Sequence, residues 1–145
     1  MENFIYPAKI KHDKRDGGFV VTFPDLPEAI TQGEELRDAI VEAADCLEES
    51  IANRIIMELS IPHPSPVRKM YHPISLSTQI AAKAALYMAI VEEKITKVEL
   101  AKRLHCDEKE VRRLLNPRHP SKLPRIESAL AVLGRKLIIG FQAVA

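Results

Sequence analysis

Carboxylates gather around one corner of this sequence. The stretch FPDLPEAITQGEEL, residues 23–36, carries Asp25, Glu28, Glu34 and Glu35, with Asp38 just beyond it and Asp13 and Asp16 just before. Acids near strand ends can hold metal ions for catalysis, or form a rim that attracts a basic partner. Two-metal hydrolysis needs several carboxylates converging from strand interiors and a helix onto ions about 4 Å apart. The segment Phe19–Phe23 supplies none, and Asp13 and Asp16 fall in a loop, so a docking rim is the favoured reading and no enzyme is expected. His12, His63, His72 and His119 are scattered without ligand spacing, and Cys46 and Cys106 lie outside any CxxC pattern. Neither a metal nor a cofactor is expected.

A second stretch is basic. KVELAKRLHCDEKEVRRLL, residues 97–115, sets Leu100, Ala101, Leu104, Val111 and Leu114 where a helix-turn-helix buries its side chains, with a small residue at the close crossing. Thr96 with Glu99, and Asp107 with Glu110, fit capping boxes that start two helices. His105 holds the turn position that glycine usually takes, a place of positive φ that histidine tolerates better than most residues. With Asp107–Leu115 as the reading helix, its exposed face presents Asp107, Glu108, Lys109, Arg112, Arg113 and Asn116 to base edges. Arg and Lys suit guanine, Asn suits adenine and the acids suit cytosine, while Asp107 is expected first of all as the cap. Phosphates are expected at Thr96 and Lys97, and at Arg118, His119, Ser121 and Lys122 after Pro117.

The elements that must position these residues follow from periodicity. Phe4, Tyr6, Ala8 and Ile10, then Phe19, Val21 and Phe23, alternate on either side of Asp16-Gly17-Gly18, which predicts a hairpin. Pro24 and Pro27 are expected to end the second strand, and Ala29–Gln32 to form a short third. Leu36, Ile40, Ala43, Leu47, Ile51 and Ile55 predict a helix to about Leu59, with Glu42, Asp45, Glu48 and Glu49 on its other face. Prolines 62, 64, 66 and 73 mark residues 68–76 and their approach as a linker or an edge strand. From Ser77 a further helix is expected on Ile80, Ala84, Tyr87, Met88, Val91 and Ile95, and a last helix from Pro124 to Gly134. Leu137, Ile138, Ile139 and Phe141, within residues 136–145, then predict a strand that pairs across a twofold axis. The fold class is therefore α+β.

Charge divides along the same line. Residues 1–65 hold 6 Lys/Arg against 13 Asp/Glu, a net of −7, whereas residues 66–145 hold 15 against 7, a net of +8. The front suits a cationic partner and the back an anionic one. No apolar run approaches membrane-spanning length and the N-terminus lacks the order of a signal peptide, so no membrane association and a cytoplasmic location are expected.

The run GGFVVTFPDLPEAITQGEEL, preceded by the Tyr6-Pro7-Ala8 strand and followed by a helix and IPHPSP, resembles the HicB family of antitoxins across residues 4–67. The resemblance implies a partial RNase H-like sheet with one helix over residues 1–67, which binds and silences a small HicA-type toxin that cleaves mRNA. It also implies a DNA-binding module over residues 77–145, here of the helix-turn-helix branch, and a homodimer or larger assembly that represses its own operon at palindromic duplex DNA. Asp25, Glu28, Glu35 and Asp38 are the candidate toxin contacts. A second reading keeps the helix-turn-helix without the toxin, as a stand-alone transcriptional regulator, since fold does not fix function.

Overall fold

Apolar alternation and two adjacent glycines build the front of the chain as a sheet. The computed structural model describes residue 1 and residues 3–144. Strands β1 (Ile5–His12), β2 (Phe19–Phe23), β3 (Leu26–Gly33) and β4 (His72–Ser75) form one antiparallel sheet in the order β3-β2-β1-β4. The helices are α1 (Leu36–Ile56), α2 (Thr78–Glu93), α3 (Lys97–Leu104), α4 (Glu108–Leu115) and α5 (Leu123–Val132), so the described residues make an α+β chain. It divides into two compact units, Met1–Ala81 and the residues from Ala82 onward.

In the first unit β1 serves two neighbours. Lys9–His12 pair with β2, and Ile5–Ala8 pair with β4, so residues 72–75 are an edge strand. Asp13 closes the β1–β2 turn: its amide donates to Gly18 O at 2.9 Å while its carboxylate accepts from the amides of Arg15 and Asp16. Gly17 and Gly18 both sit at positive φ there. β2 stops before Pro24 as expected, but β3 already begins at Leu26 and contains Pro27. The ladder jumps from Phe23↔Leu26 to Thr22↔Ile30, and Pro27 falls in that irregularity of an outer strand, where its missing N–H interrupts no pairing.

Helix α1 turns Ala39, Ala43, Leu47, Ile51, Ala52 and Ile55 inward, while the expected core residues Leu36 and Ile40 are exposed. The cause is a close approach at the helix start. A Cβ on Gly33 would lie 2.4 Å from Ala39 N and 2.7 Å from its Cα, so the end of β3 touches the helix backbone itself. Small residues must occupy that contact, and Ile40, one position on, rolls outward. Tyr6 is wholly buried and its hydroxyl donates to Pro62 O at 2.7 Å, which holds the proline-rich segment to β1. The helix ends at Ile56, short of Leu59, where Glu58 reverses the chain at φ 55°.

The second unit closes around Ala82, Leu86 and Ala89 of α2, Leu100 and Ala101 of α3, Val111, Leu114 and Leu115 of α4, and Ile126, Ala129 and Leu130 of α5. The α2 core is alanine-rich and lies to one side of the expected stripe, leaving Val91 exposed. Pro124 stands in the first turn of α5 and Gly134 ends it at φ 72°, both as expected. Arg135 then pairs with Glu92 at 2.7 Å and with Glu93. The strand expected over residues 136–145 is not formed: residues 136–144 are neither helix nor strand, since no strand lies beside them to supply a ladder, and Ala145 lies outside the described residues. Leu137 packs back on its own core, and Ile138, Ile139 and Phe141 are exposed.

Gly33→Ala is expected to lower the stability of the chain by about 1–3 kcal/mol, because the added methyl meets backbone and not a flexible side chain. Urea unfolding followed by circular dichroism measures it. An unchanged midpoint would mean that β3 and α1 approach less closely than described.

Candidate functional site

Two short helices and the turn between them are set by their caps. Thr96 Oγ1 accepts from Glu99 N at 3.1 Å and starts α3; Asp107 Oδ1 accepts from Glu110 N at 2.8 Å and starts α4. His105 ends α3 in the left-handed region, φ 53° and ψ 43°, as its turn position requires. Leu100, Ala101, Val111 and Leu114 are buried and Leu104 is partly so, which leaves the polar side of α4 outward.

That side gathers the expected readers. Lys109, Arg112, Arg113 and Asn116 follow one another at spacings of three, one and three, which makes a single stripe on the helix surface, and all four are exposed. Glu108 joins the stripe through its bond to Arg112, Nη2 to Oε1 at 2.9 Å, and so tempers that guanidinium. Asn116 is the C-cap of α4, and its Oδ1 accepts from Arg118 N at 2.9 Å. Arg118, His119 and Lys122 are exposed in the following loop, Lys97 is half-buried, and Thr96 and Asp107 are committed as caps. The arrangement can present positive charge and hydrogen-bond donors to a polyanion.

Sequence reading missed Lys83. Its side chain is 0% exposed, and its ammonium donates to Arg113 O at 2.9 Å, Leu114 O at 3.0 Å and Ser121 Oγ at 2.9 Å. Ser121, expected at a phosphate, thus accepts from a buried lysine. Burial pushes the Lys83 ammonium down to about 8. The available signal was a lone charge inside the apolar run IAAKAAL, residues 80–86.

The front acids are occupied mainly by their own fold. Asp25 accepts from Ser65 N at 2.8 Å and Ser65 Oγ at 2.5 Å, pinning the proline-rich segment to the β2–β3 corner. Glu28 takes a two-pronged bond from Arg54, 2.6 and 3.0 Å, which holds its carboxyl below the usual range. Asp38 accepts from Glu35 N at 3.3 Å at the start of α1. These four acids do not converge on one spot. Asp38 instead joins Glu34 and Glu42, with Gln32, Gly33 and exposed Val41, around an open groove of about 350 Å³. Glu34 and Glu42 were not among the expected contacts, because their meeting depends on how α1 is rolled against β3. Among the described residues no three His, Cys, Asp or Glu side chains form a group that could hold a metal ion, and no helix is long and apolar enough to cross a membrane.

Residues 5–85 match the family described as HicB_like antitoxin of bacterial toxin-antitoxin system. The chain is 31% identical to Antitoxin HicB 1 of Photorhabdus laumondii over 98% of this chain and 90% of the relative. It is 35% identical to Antitoxin HicB of Escherichia coli K12 over 84% of this chain and 88% of that protein. Antitoxin HicB 2 of P. laumondii is 32% identical, with 94% and 95% covered.

The pH dependence of stability should carry the signature of Lys83. Its folded value of about 8 lies below the 10.5 of an ordinary lysine, so between these limits the unfolded chain binds the extra proton and stability rises with pH. Relative to Lys83→Met, the wild-type unfolding free energy should climb by on the order of 1–3 kcal/mol from pH 7.5 to 10. Parallel curves for the two proteins in urea titrations would show that the ammonium is not buried as described.

Proposed function

We propose, because this chain belongs to the HicB antitoxin family of bacterial toxin–antitoxin systems, that its first unit binds and neutralises a small HicA-type mRNA interferase while its second unit represses the operon by binding palindromic operator DNA. The family is one of antitoxins and not of enzymes. The observation that carries the reading is that antitoxin relatives align with both units, the acidic one and the one bearing the Lys109–Arg112–Arg113–Asn116 stripe.

Physical chemistry favours each half of the division. A nuclease that holds RNA phosphates must present positive charge, and a first unit with a net of −5 over residues 1–81, all of its acids within residues 1–65, both attracts it and can cover that surface. The open groove of Glu34, Asp38 and Glu42 around Val41 offers it an acidic contact surface, since Asp25 and Glu28 already serve Ser65 and Arg54. On the other unit α4 acts as the reading helix of a helix-turn-helix, and the loop at Arg118, His119 and Lys122 meets phosphates. Ile138, Ile139 and Phe141 join two chains, because exposed apolar residues with unpaired backbone are covered most simply by the same segment of a second copy.

Co-expression with a small basic reading frame beside this one is the direct test: the pair should co-purify and mRNA cleavage should cease. Persistent cleavage with both proteins folded would remove the antitoxin reading. On operator DNA, Arg112→Ala should cost about 1–3 kcal/mol and relax preference at one base pair, whereas Lys122→Ala should weaken all sequences alike. The chain without residues 136–145 should sediment as a monomer and lose protection of a palindrome. Equal losses on random DNA for both substitutions would contradict the division of roles on this surface.

A further inference from the structure

Lys83 spends all three ammonium protons inside the second unit, two on carbonyls in the last turn of α4 and one on the loop toward α5. Resting on the reading that α4 faces DNA, we infer that Lys83 is the positioning residue for base recognition: from α2, itself out of reach of any ligand, it fixes the roll of α4 and the seat of the loop that follows. One of the carbonyls it holds belongs to Arg113, whose own side chain stands in the exposed stripe. The grip is therefore on the backbone of a reader.

Val111, Leu114 and Leu115 hold α4 by apolar contact, which is non-directional and tolerates a small roll, whereas hydrogen bonds to two successive carbonyls and a hydroxyl triangulate the helix. A roll of about 20° moves points on a helix surface some 5–6 Å from its axis by about 2 Å, enough to break hydrogen bonds to base edges. Burial also opposes the charge, and a methionine could fill a comparable space without that opposition. A buried charge met by three acceptors can specify an arrangement that apolar contact leaves loose. The positive group also lies at the negative end of the α4 dipole, where a cation is favoured.

The test uses the full chain, a duplex taken from the region upstream of its own reading frame, and a random duplex of equal length and composition. Fluorescence anisotropy at one salt concentration gives both affinities, and a thermal melt establishes that each variant is folded at the assay temperature. Lys83→Met should lose about tenfold or more on the upstream duplex, the value of one good base contact, and stay within about twofold of wild type on the random one. Loss on both duplexes alike, or a retained ratio, overturns the positioning role while leaving the DNA-binding reading intact. A wild-type chain that does not distinguish the duplexes overturns that reading and the inference with it. Where Lys83→Met melts too low, Ser121→Ala removes one acceptor and should lower the selectivity ratio by about twofold to fivefold. Uniform weakening by Ser121→Ala would instead mark a phosphate contact and count against the inference.

Discussion

A buried ammonium needs an acceptor for each of its protons, and in the second unit that requirement organises three segments at once. Lys83 stands on α2, its acceptors on α4 and on the loop before α5, and the apolar residues of all four helices close around the site. Taking a charge out of water is unfavourable unless its protons are matched, so arrangements that leave one of them without an acceptor are disfavoured. The helices are thus selected for relative placement and not for contact area alone. The exposed basic stripe inherits its geometry from that selection.

The first unit is governed by contact at the opposite extreme of size. Gly33 lets the end of β3 reach the backbone of Ala39, and this single approach decides which side of α1 faces the sheet. The surface acids follow from it. Glu28 meets Arg54 near the far end of α1, Asp38 closes the helix start, and Glu34 and Glu42 are left beside Val41. Much of the negative charge is therefore used twice, once to fasten local structure and once to set a field that acts beyond it.

What was legible in the sequence was short-range. The hairpin, both capping residues Thr96 and Asp107, the left-handed His105 and the ends of α5 all depend on neighbours within a few positions, and all formed as expected. The partners that escaped lie far along the chain. Arg54 is 26 residues from Glu28, Ser65 is 40 from Asp25, and the acceptors of Lys83 are 30 to 38 away. Periodicity gave helices but not their roll, so Leu36, Ile40 and Val91 were assigned to cores from which close packing of small residues excludes them. Leu137 was expected in a pairing strand with Ile138, Ile139 and Phe141, whereas it packs against the core of its own chain, a contact that no local pattern announces.

The division of β1 between two neighbours bears on the order in which the protein is made. Its second half pairs with β2 across a six-residue turn, but Tyr6 waits for Ile74, which lies beyond α1 and all of the proline-rich stretch. Closing so long a loop is slower than zipping a hairpin. On a ribosome, the hairpin, β3 and α1 emerge before residues 72–75, so they can assemble while the flank of β1 is still bare and β4 is not yet there to pair with it. Until then the nascent chain displays an unpaired strand edge.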